Sequence, residues 1–181
     1  MQDERTIRVD FVAEIDRYFD DSSLAGRDGP SIVILYGGVA SGKTTIREQR
    51  YSTGYVLVDA AEIFLRLSRG EFLPFPGVLE EPMSIIGSLV ANRAVLERRN
   101  IVTELIGAEI EPVKALIDAM RAVGYRVEAL GITCDIEVAA KRNESRGEES
   151  VSSYYTEDYQ RTWLQEAAFA AIGAHSGESE A

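Results

Sequence analysis

Ile32-Val33-Ile34-Leu35-Tyr36-Gly37-Gly38-Val39-Ala40-Ser41-Gly42-Lys43-Thr44-Thr45 passes from an unbroken apolar run into glycines and then into Lys-Thr-Thr. A run that does not alternate with polar residues reads as a strand buried on both faces, as central strands of parallel sheets are. Gly29-Pro30 ahead of it is a breaker that closes a segment rich in Asp, Ser and Gly. Residues 37–45 fit the spacing G-x-x-x-x-G-K-[ST]. The glycines at 37, 38 and 42 let successive main-chain N–H groups converge on phosphate oxygens, with Val39, Ala40, Ser41 and Thr45 completing the bend at the positive end of the following helix. Lys43 is then expected to bridge the β- and γ-phosphates of ATP or GTP, and the Thr44 hydroxyl to be a ligand of Mg2+. A turn that only reverses the chain has no need of Lys-Thr in that register.

Outward from this stretch, strands are expected at 55–58, 101–104 and 127–133, and helices at 44–51, 82–98, 111–123, 136–146 and 157–172. Pro112 suits a first helical position, Gly124 follows a last turn, and Asp135 and Thr156 suit N-caps. Strand alternating with helix predicts a three-layer α/β fold with a parallel sheet of four or five strands, and the 37–45 motif makes the expected form a P-loop NTPase fold. Ile7, Phe11, Ile15, Tyr18 and Phe19 recur at helical spacing, which adds an N-terminal amphipathic helix over 5–20. The whole of 1–181 reads as one kinase-like domain, with helix and linker to residue 29 and a flexible tail from 173. The one long irregular connection is 66–82.

Composition narrows the chemistry. The chain is 45% hydrophobic and 27% charged, with no apolar stretch of the about 18 to 20 residues that crosses a bilayer. Cys134 is the only cysteine and His175 the only histidine, so a Cys/His zinc site and a Ser-His or Cys-His pair in the domain body are excluded. A net charge of −11 argues against a nucleic-acid or anionic-membrane partner, since both need a positive field, and any phosphate must be caught locally. The acidic first twenty residues do not resemble a leader, so the expected location is cytoplasmic.

In open α/β sheets ligands lie beyond the carboxyl ends of the strands, and there the sequence is acidic. Asp59 closes the second strand, Glu62 follows it and Glu104 closes the third. A phosphotransferase needs one carboxylate to accept the proton of the attacking hydroxyl and one to hold Mg2+, and Asp59 and Glu104 are candidates for both roles. Asp59 before Ala-Ala-Glu is equally a good helix N-cap, and Glu104 equally a solvated loop edge. Arg142 and Arg146, four apart on one helix face, either clamp a transferring phosphoryl group or satisfy their own helix end and pair with Glu148 and Glu149. The Ser/Tyr-rich stretch 150–159 is a candidate lid. Arg69, Phe72 and Phe75 either line an acceptor pocket or cover the core edge, and Trp163, Leu164, Phe169 and Ile172 read as a packing stripe.

Over residues 31–146 the chain resembles the zeta-toxin-like branch of small P-loop kinases, related in fold to nucleoside monophosphate and chloramphenicol kinases. The likeness is carried by the 37–45 bend, Val58-Asp59-Ala60-Ala61-Glu62-Ile63, Arg99-Asn100-Ile101-Val102-Thr103-Glu104, and Gly124-Tyr125-Arg126-Val127-Glu128 leading into the basic helix. Such kinases move the γ-phosphate of ATP or GTP to a hydroxyl, and zeta toxins phosphorylate a UDP-linked amino sugar. The resemblance implies that Glu104 is the acidic residue closing the third strand and that Arg142 or Arg146 approaches the lid. Depending on a one-residue gap, the family's catalytic aspartate falls on Asp59 or on Ala61. No fifth strand is evident after the lid region.

The function expected first is therefore an ATP-dependent kinase acting on a hydroxyl of a small metabolite, with a sugar nucleotide among the candidate acceptors. Lys43, Asp59, Glu62, Glu104, Arg142 and Arg146 are its candidate catalytic residues, and Thr44 and Asp59 its candidate Mg2+ ligands. The alternative is a nucleotide-binding regulatory module, read by a protein partner, with little or no transfer. A third reading, an NTP hydrolase that moves a larger assembly, lacks an extra domain to carry the motion.

Overall fold

The computed structural model describes residues 9–20, 22, 24–68, 79–106 and 110–145. In chain order these form α1 (Phe11–Asp16), β1 (Ser31–Tyr36), α2 (Lys43–Arg50), β2 (Val56–Val58), α3 (Ala60–Leu67), α4 (Glu80–Leu96), β3 (Ile101–Leu105), α5 (Ile110–Ala122), β4 (Arg126–Gly131) and α6 (Ile136–Glu144). The four strands make one sheet in the order β2-β3-β1-β4, and every pairing is parallel. The helix expected at 157–172 and the candidate lid, acceptor segment, tail and any fifth strand lie outside the described residues.

β1 is central because it is apolar on both faces. Ile32, Ile34 and Tyr36 join one cluster with Ile63, Ile86, Val90, Ile101, Val113 and Ile117, drawn from α3, α4, β3 and α5. Val33 and Leu35 point the other way, with Val102, Ile46, Leu57 and Leu130. The sheet is thus the middle of three layers, with α2 on one side. Residues Val33 to Leu35 are at most 1% exposed, so the apolar run costs nothing in solvation. No helix among the described residues is long and apolar enough to cross a membrane.

Polar side chains fix the strand ends. Asn100 Oδ1 accepts from both Ser31 N (3.0 Å) and Ser31 Oγ (3.1 Å), setting where β1 and β3 begin. Thr103 Oγ1 donates to Val58 O at 2.7 Å and holds β2 level with β3. Gly124, with φ of 81°, turns α5 into β4 as a left-handed residue after a helix does.

Several boundaries differ from the sequence reading. The N-terminal helix expected over 5–20 is helical only from Phe11 to Asp16 among the described residues, because Asp10 caps it through Oδ1 and Ala13 N (3.1 Å). After Asp16 the chain turns to bury Tyr18 and Phe19, over whose rings stand Arg66 (5.0 Å) and Arg93 (4.2 Å). A stacked guanidinium covers the ring while keeping its charge in solvent. Burial pushes the Tyr18 phenol above its usual range. β4 stops at Gly131 rather than at 133, since its partner β1 ends at Tyr36, whose carbonyl takes the last bond from Ile132 N (2.8 Å). Pro112 is the third residue of α5, still within the first turn, where no intrahelical N–H is required.

Tyr125 anchors the far end of the sheet: its buried hydroxyl reaches Arg99 O (2.9 Å) and Ala94 O (3.1 Å), joining the entry of β4 to the α4–β3 turn. Replacing Tyr125 by Phe keeps the ring and removes this donor. The expected loss is about 1 kcal/mol, read as a lower urea midpoint at unchanged slope; an unchanged midpoint would show that the hydroxyl contributes nothing.

Candidate active site

The site is built from the β1–α2 connection outward. Gly37 follows the last residue of β1, and its N–H donates to Leu105 O (3.1 Å) at the end of β3. A Cβ on Gly37 would stand 2.2 Å from Ile132 O and 3.1 Å from Ser41 Oγ, so only glycine lets the loop lie against the β4–α6 connection. Gly42 is required for a different reason. It meets nothing within 4 Å but has φ of 108°, a backbone that side chains disfavour. Ala40 is left-handed as well, with φ of 58°. Such strain in a non-glycine residue costs on the order of 1–3 kcal/mol and collects at ligand clamps.

α1, α3 and α6 each begin on an aspartate that caps them. α2 begins on Gly42 and has no side-chain cap. Its positive end thus faces the bend, where an anion is favoured. Lys43 is buried, and its Nζ donates to Gly37 O (2.8 Å) and Gly38 O (2.7 Å), which holds the ammonium inside the loop. Ser41 Oγ is buried there without a partner among the described residues. A loop with a cation, an uncapped helix start and an orphaned hydroxyl has the chemistry of a phosphate cradle.

Thr44 Oγ1, one residue beyond, donates to Glu104 Oε2 at 3.1 Å. The other oxygen of Glu104 takes the Nε–H of Arg47 at 2.7 Å. The Glu104 and Arg47 side chains are only 7% and 15% exposed, so this is a largely buried pair. The sheet explains the meeting: Leu35 is in register with Glu104, and Val102 below it faces the α2 side, so with a period of two Glu104 faces α2 as well. Sequence reasoning had Glu104 but missed Arg47. The available signal was helical spacing, since Arg47 lies three residues after Thr44 and shares its face.

Asp59 stands beside this group. Val58 is level with Thr103, so Asp59 emerges level with Glu104 on the neighbouring strand. Its Oδ1 accepts from Ala61 N (2.6 Å) and Glu62 N (3.2 Å), capping α3. Burial raises its pKa above the usual carboxylate range, opposed by those two N–H groups and by the nearby Arg47. The cap and the strand-end position hold together, as both readings of the sequence allowed. Glu62 turns away to Arg66, Nε to Oε1 at 3.1 Å. Arg142 is exposed, 3.5 Å from Cys134 Sγ on the connection that adjoins Gly37, while Arg146 lies outside the described residues. Arg69, Phe72 and Phe75 lie outside them too.

Of the two candidate metal ligands, the structure joins Thr44 to Glu104 rather than to Asp59. A hydroxyl beside a carboxylate is a hard oxygen pair suited to Mg2+, which binds few protein ligands and keeps several waters. No group of three or more His, Cys, Asp or Glu residues that could hold a metal occurs among the described residues. A surface groove of about 450 Å3 between residues 24–29 and Glu97–Arg98 lies at the opposite end of the strands and is no part of this site.

Comparison with known proteins gives an independent line. The family described as Zeta toxin matches residues 75–172, more than half of the chain and wholly outside the 37–45 bend. Among solved structures, one from the PezAT chromosomal toxin–antitoxin system of Streptococcus pneumoniae superposes with a TM-score of 0.65 at 15% identity, over 85% of this chain and 66% of the other. The AvrRxo1-ORF1:-ORF2 complex with ATP gives 0.64 at 16% identity, over 91% and 58%. The Pnkp1/Rnl/Hen1 RNA repair complex gives 0.56 at 16% identity, over 79% and 47%. At such identities the likeness is one of fold, and the chain spans about half to two thirds of the length of these structures. No curated protein sequence matches it.

At Gly37, where φ is 156°, an added Cβ meets both a clash and an unfavourable backbone, whereas at Gly42 it meets the backbone alone. Gly37→Ala forces a main-chain shift and is expected to cost about 1–3 kcal/mol, whereas Gly42→Ala adds only backbone strain. Thermal melts should rank Gly37→Ala clearly below Gly42→Ala; equal melts would mean that the contact with Ile132 is not what closes the loop.

Proposed function

The chain belongs to the zeta toxin family, and from that premise we propose that it is an ATP-dependent phosphotransferase. It moves the γ-phosphate of ATP, or of GTP, to a hydroxyl of a small metabolite, with a sugar nucleotide among the candidate acceptors. The observation that carries this reading is the facing of two features: a loop with Lys43 inside it, and the carboxylates of Asp59 and Glu104 level on adjacent strand ends. The family match and the loop lie in different parts of the chain, and each supports the reading without the other.

Each residue then has a distinct role. Residues 37–45 hold the β- and γ-phosphates with main-chain N–H groups, and Lys43 exchanges its carbonyl partners for phosphate oxygens as negative charge moves toward the leaving group. Asp59 orients the acceptor hydroxyl and takes its proton. Because Oδ1 already caps α3, the proton goes to Oδ2, and the helix start does not have to open. Thr44 would hold Mg2+ with its hydroxyl oriented by Glu104, and the ion when bound would supply positive charge to the phosphate oxygens. Arg142 and Arg146 are the proposed cations on the lid side, and Glu62 supports Arg66 rather than the acceptor. The likeness to a toxin–antitoxin system suggests a protein partner that restrains the activity.

A second reading, a nucleotide-binding regulatory module, is favoured by one observation: Asp59 is already engaged as a cap. Labelled ATP offered with a UDP-linked amino sugar and other hydroxyl acceptors separates the two. Label appearing on an acceptor supports the kinase; nucleotide binding with no transfer to any acceptor supports the module.

Transfer should fall by about 10²–10³ in Lys43→Ala. Asp59→Asn should lose about 10²–10⁴ while the melting temperature stays level or rises, because the amide oxygen keeps the cap and a half-buried charge is removed. The pH dependence has a definite sign. Asp59 accepts a proton only when ionised, and its pKa lies above the ordinary value, so kcat/KM should fall with decreasing pH at a higher midpoint than a solvated aspartate gives. Full transfer in Lys43→Ala, or an acid limb unchanged in a residually active Asp59→Asn, would overturn these assignments.

A further inference from the structure

Arg47 has none of the roles above, yet it holds the carboxylate that meets Thr44. Its guanidinium donates from Nε to Glu104 Oε1 at 2.7 Å, and NH2 lies 3.6 Å from Glu48 Oε1. The same group is close enough to Asp59 to act on its carboxylate. A side chain only 15% exposed, gripping one that is 7% exposed, has given up conformational freedom and hydration. Such an expense fits a requirement for geometry.

We propose that Arg47 is a positioning residue for the metal–nucleotide complex: it locks the Glu104 carboxylate so that Oε2 accepts the Thr44 proton and the Thr44 oxygen presents its lone pairs to Mg2+. A carboxylate can only accept, so in the Thr44–Glu104 contact (3.1 Å) the hydroxyl must be the donor. Its lone pairs are then turned away from Glu104. An unclamped Glu104 could rotate about its terminal torsion, and the hydroxyl would no longer be held in one orientation. Partners that orient a metal ligand typically change metal affinity by about 10- to 100-fold when removed. Lys at this position keeps the charge but loses the fork that fixes the carboxylate plane.

This inference rests on the nucleotide-binding reading, and calorimetry with ATP tests both. Affinity is measured in excess Mg2+ and again in EDTA for the full-length wild type, Arg47→Met and Arg47→Lys, with thermal melts alongside. The ratio of the two affinities is the metal-dependent gain. The expected result is an EDTA affinity within about twofold of wild type in both variants, a gain reduced at least about tenfold in Arg47→Met, and a smaller reduction in Arg47→Lys. Adding Arg47→Met to Glu104→Gln should lower the gain no further than Glu104→Gln alone, since the two act through one contact. A gain retained in Arg47→Met, or equal losses with and without Mg2+, overturns the proposal. If Arg47→Met does not fold, Arg47→Lys decides, an undiminished gain again overturning it. A wild type that binds no ATP sinks the parent reading and this inference with it, whereas a wild type with a gain that neither variant disturbs sinks this inference alone.

Discussion

The approach of the Gly37 backbone to Ile132 O is the constraint on which the rest of the site depends. A Cβ would stand 2.2 Å from that oxygen, and through the same residue the loop bonds Leu105 of β3. One glycine thus brings three chain segments together: the exit of β1, the end of β3 and the connection after β4. Lys43 is drawn inward by the carbonyls of Gly37 and Gly38, and Glu104 arrives one residue before Leu105. Were the loop to stand away from the sheet by the thickness of a methyl group, the cation and the carboxylate would no longer share a site.

The electrostatics are local rather than global. The chain carries a net charge of −11, a field that repels polyphosphates at long range. Against it stand an uncapped helix start and a buried ammonium, both effective only at short distance. The arrangement favours a ligand whose charge is already partly neutralised, such as a nucleotide carrying a divalent cation. The pairing of Thr44 with Glu104 puts hard oxygen donors beside the cradle, and Arg47 keeps that acidic side chain from being an uncompensated buried charge.

Much of the fold was legible because local signals and burial agreed. Ile32 to Leu35 are apolar without alternation and are buried on both faces, and Asp59 and Asp135 read as caps and are caps. The N-terminal helix was misjudged in extent because Phe11, Ile15, Tyr18 and Phe19 keep a helical period that the chain does not follow. Asp10 starts a short helix, and the two aromatic residues are buried through a turn instead. Arg47 was missed for another reason, since its spacing from Thr44 can be read in the sequence but its acidic partner cannot. In sequence Arg47-Glu48 is an ordinary solvated helix pair, and only the parallel register of β1 with β3 delivers Glu104 to it. Nucleotide chemistry could be read from nine consecutive residues, but the positioning of its carboxylate is a property of the assembled sheet.

That assembly spans a long stretch of chain: Ser31 is bonded to Asn100 across 69 positions, and β1 cannot take its place beside β3 until both exist. During synthesis the cradle segment leaves the ribosome well before its acidic counterpart, and distant strand pairing is slow to form. A nascent chain lacking Ile101–Leu105 therefore holds the residues to grip a polyphosphate but not the carboxylate that faces it. Competence waits for β3, and a product truncated before Ile101 is born without it.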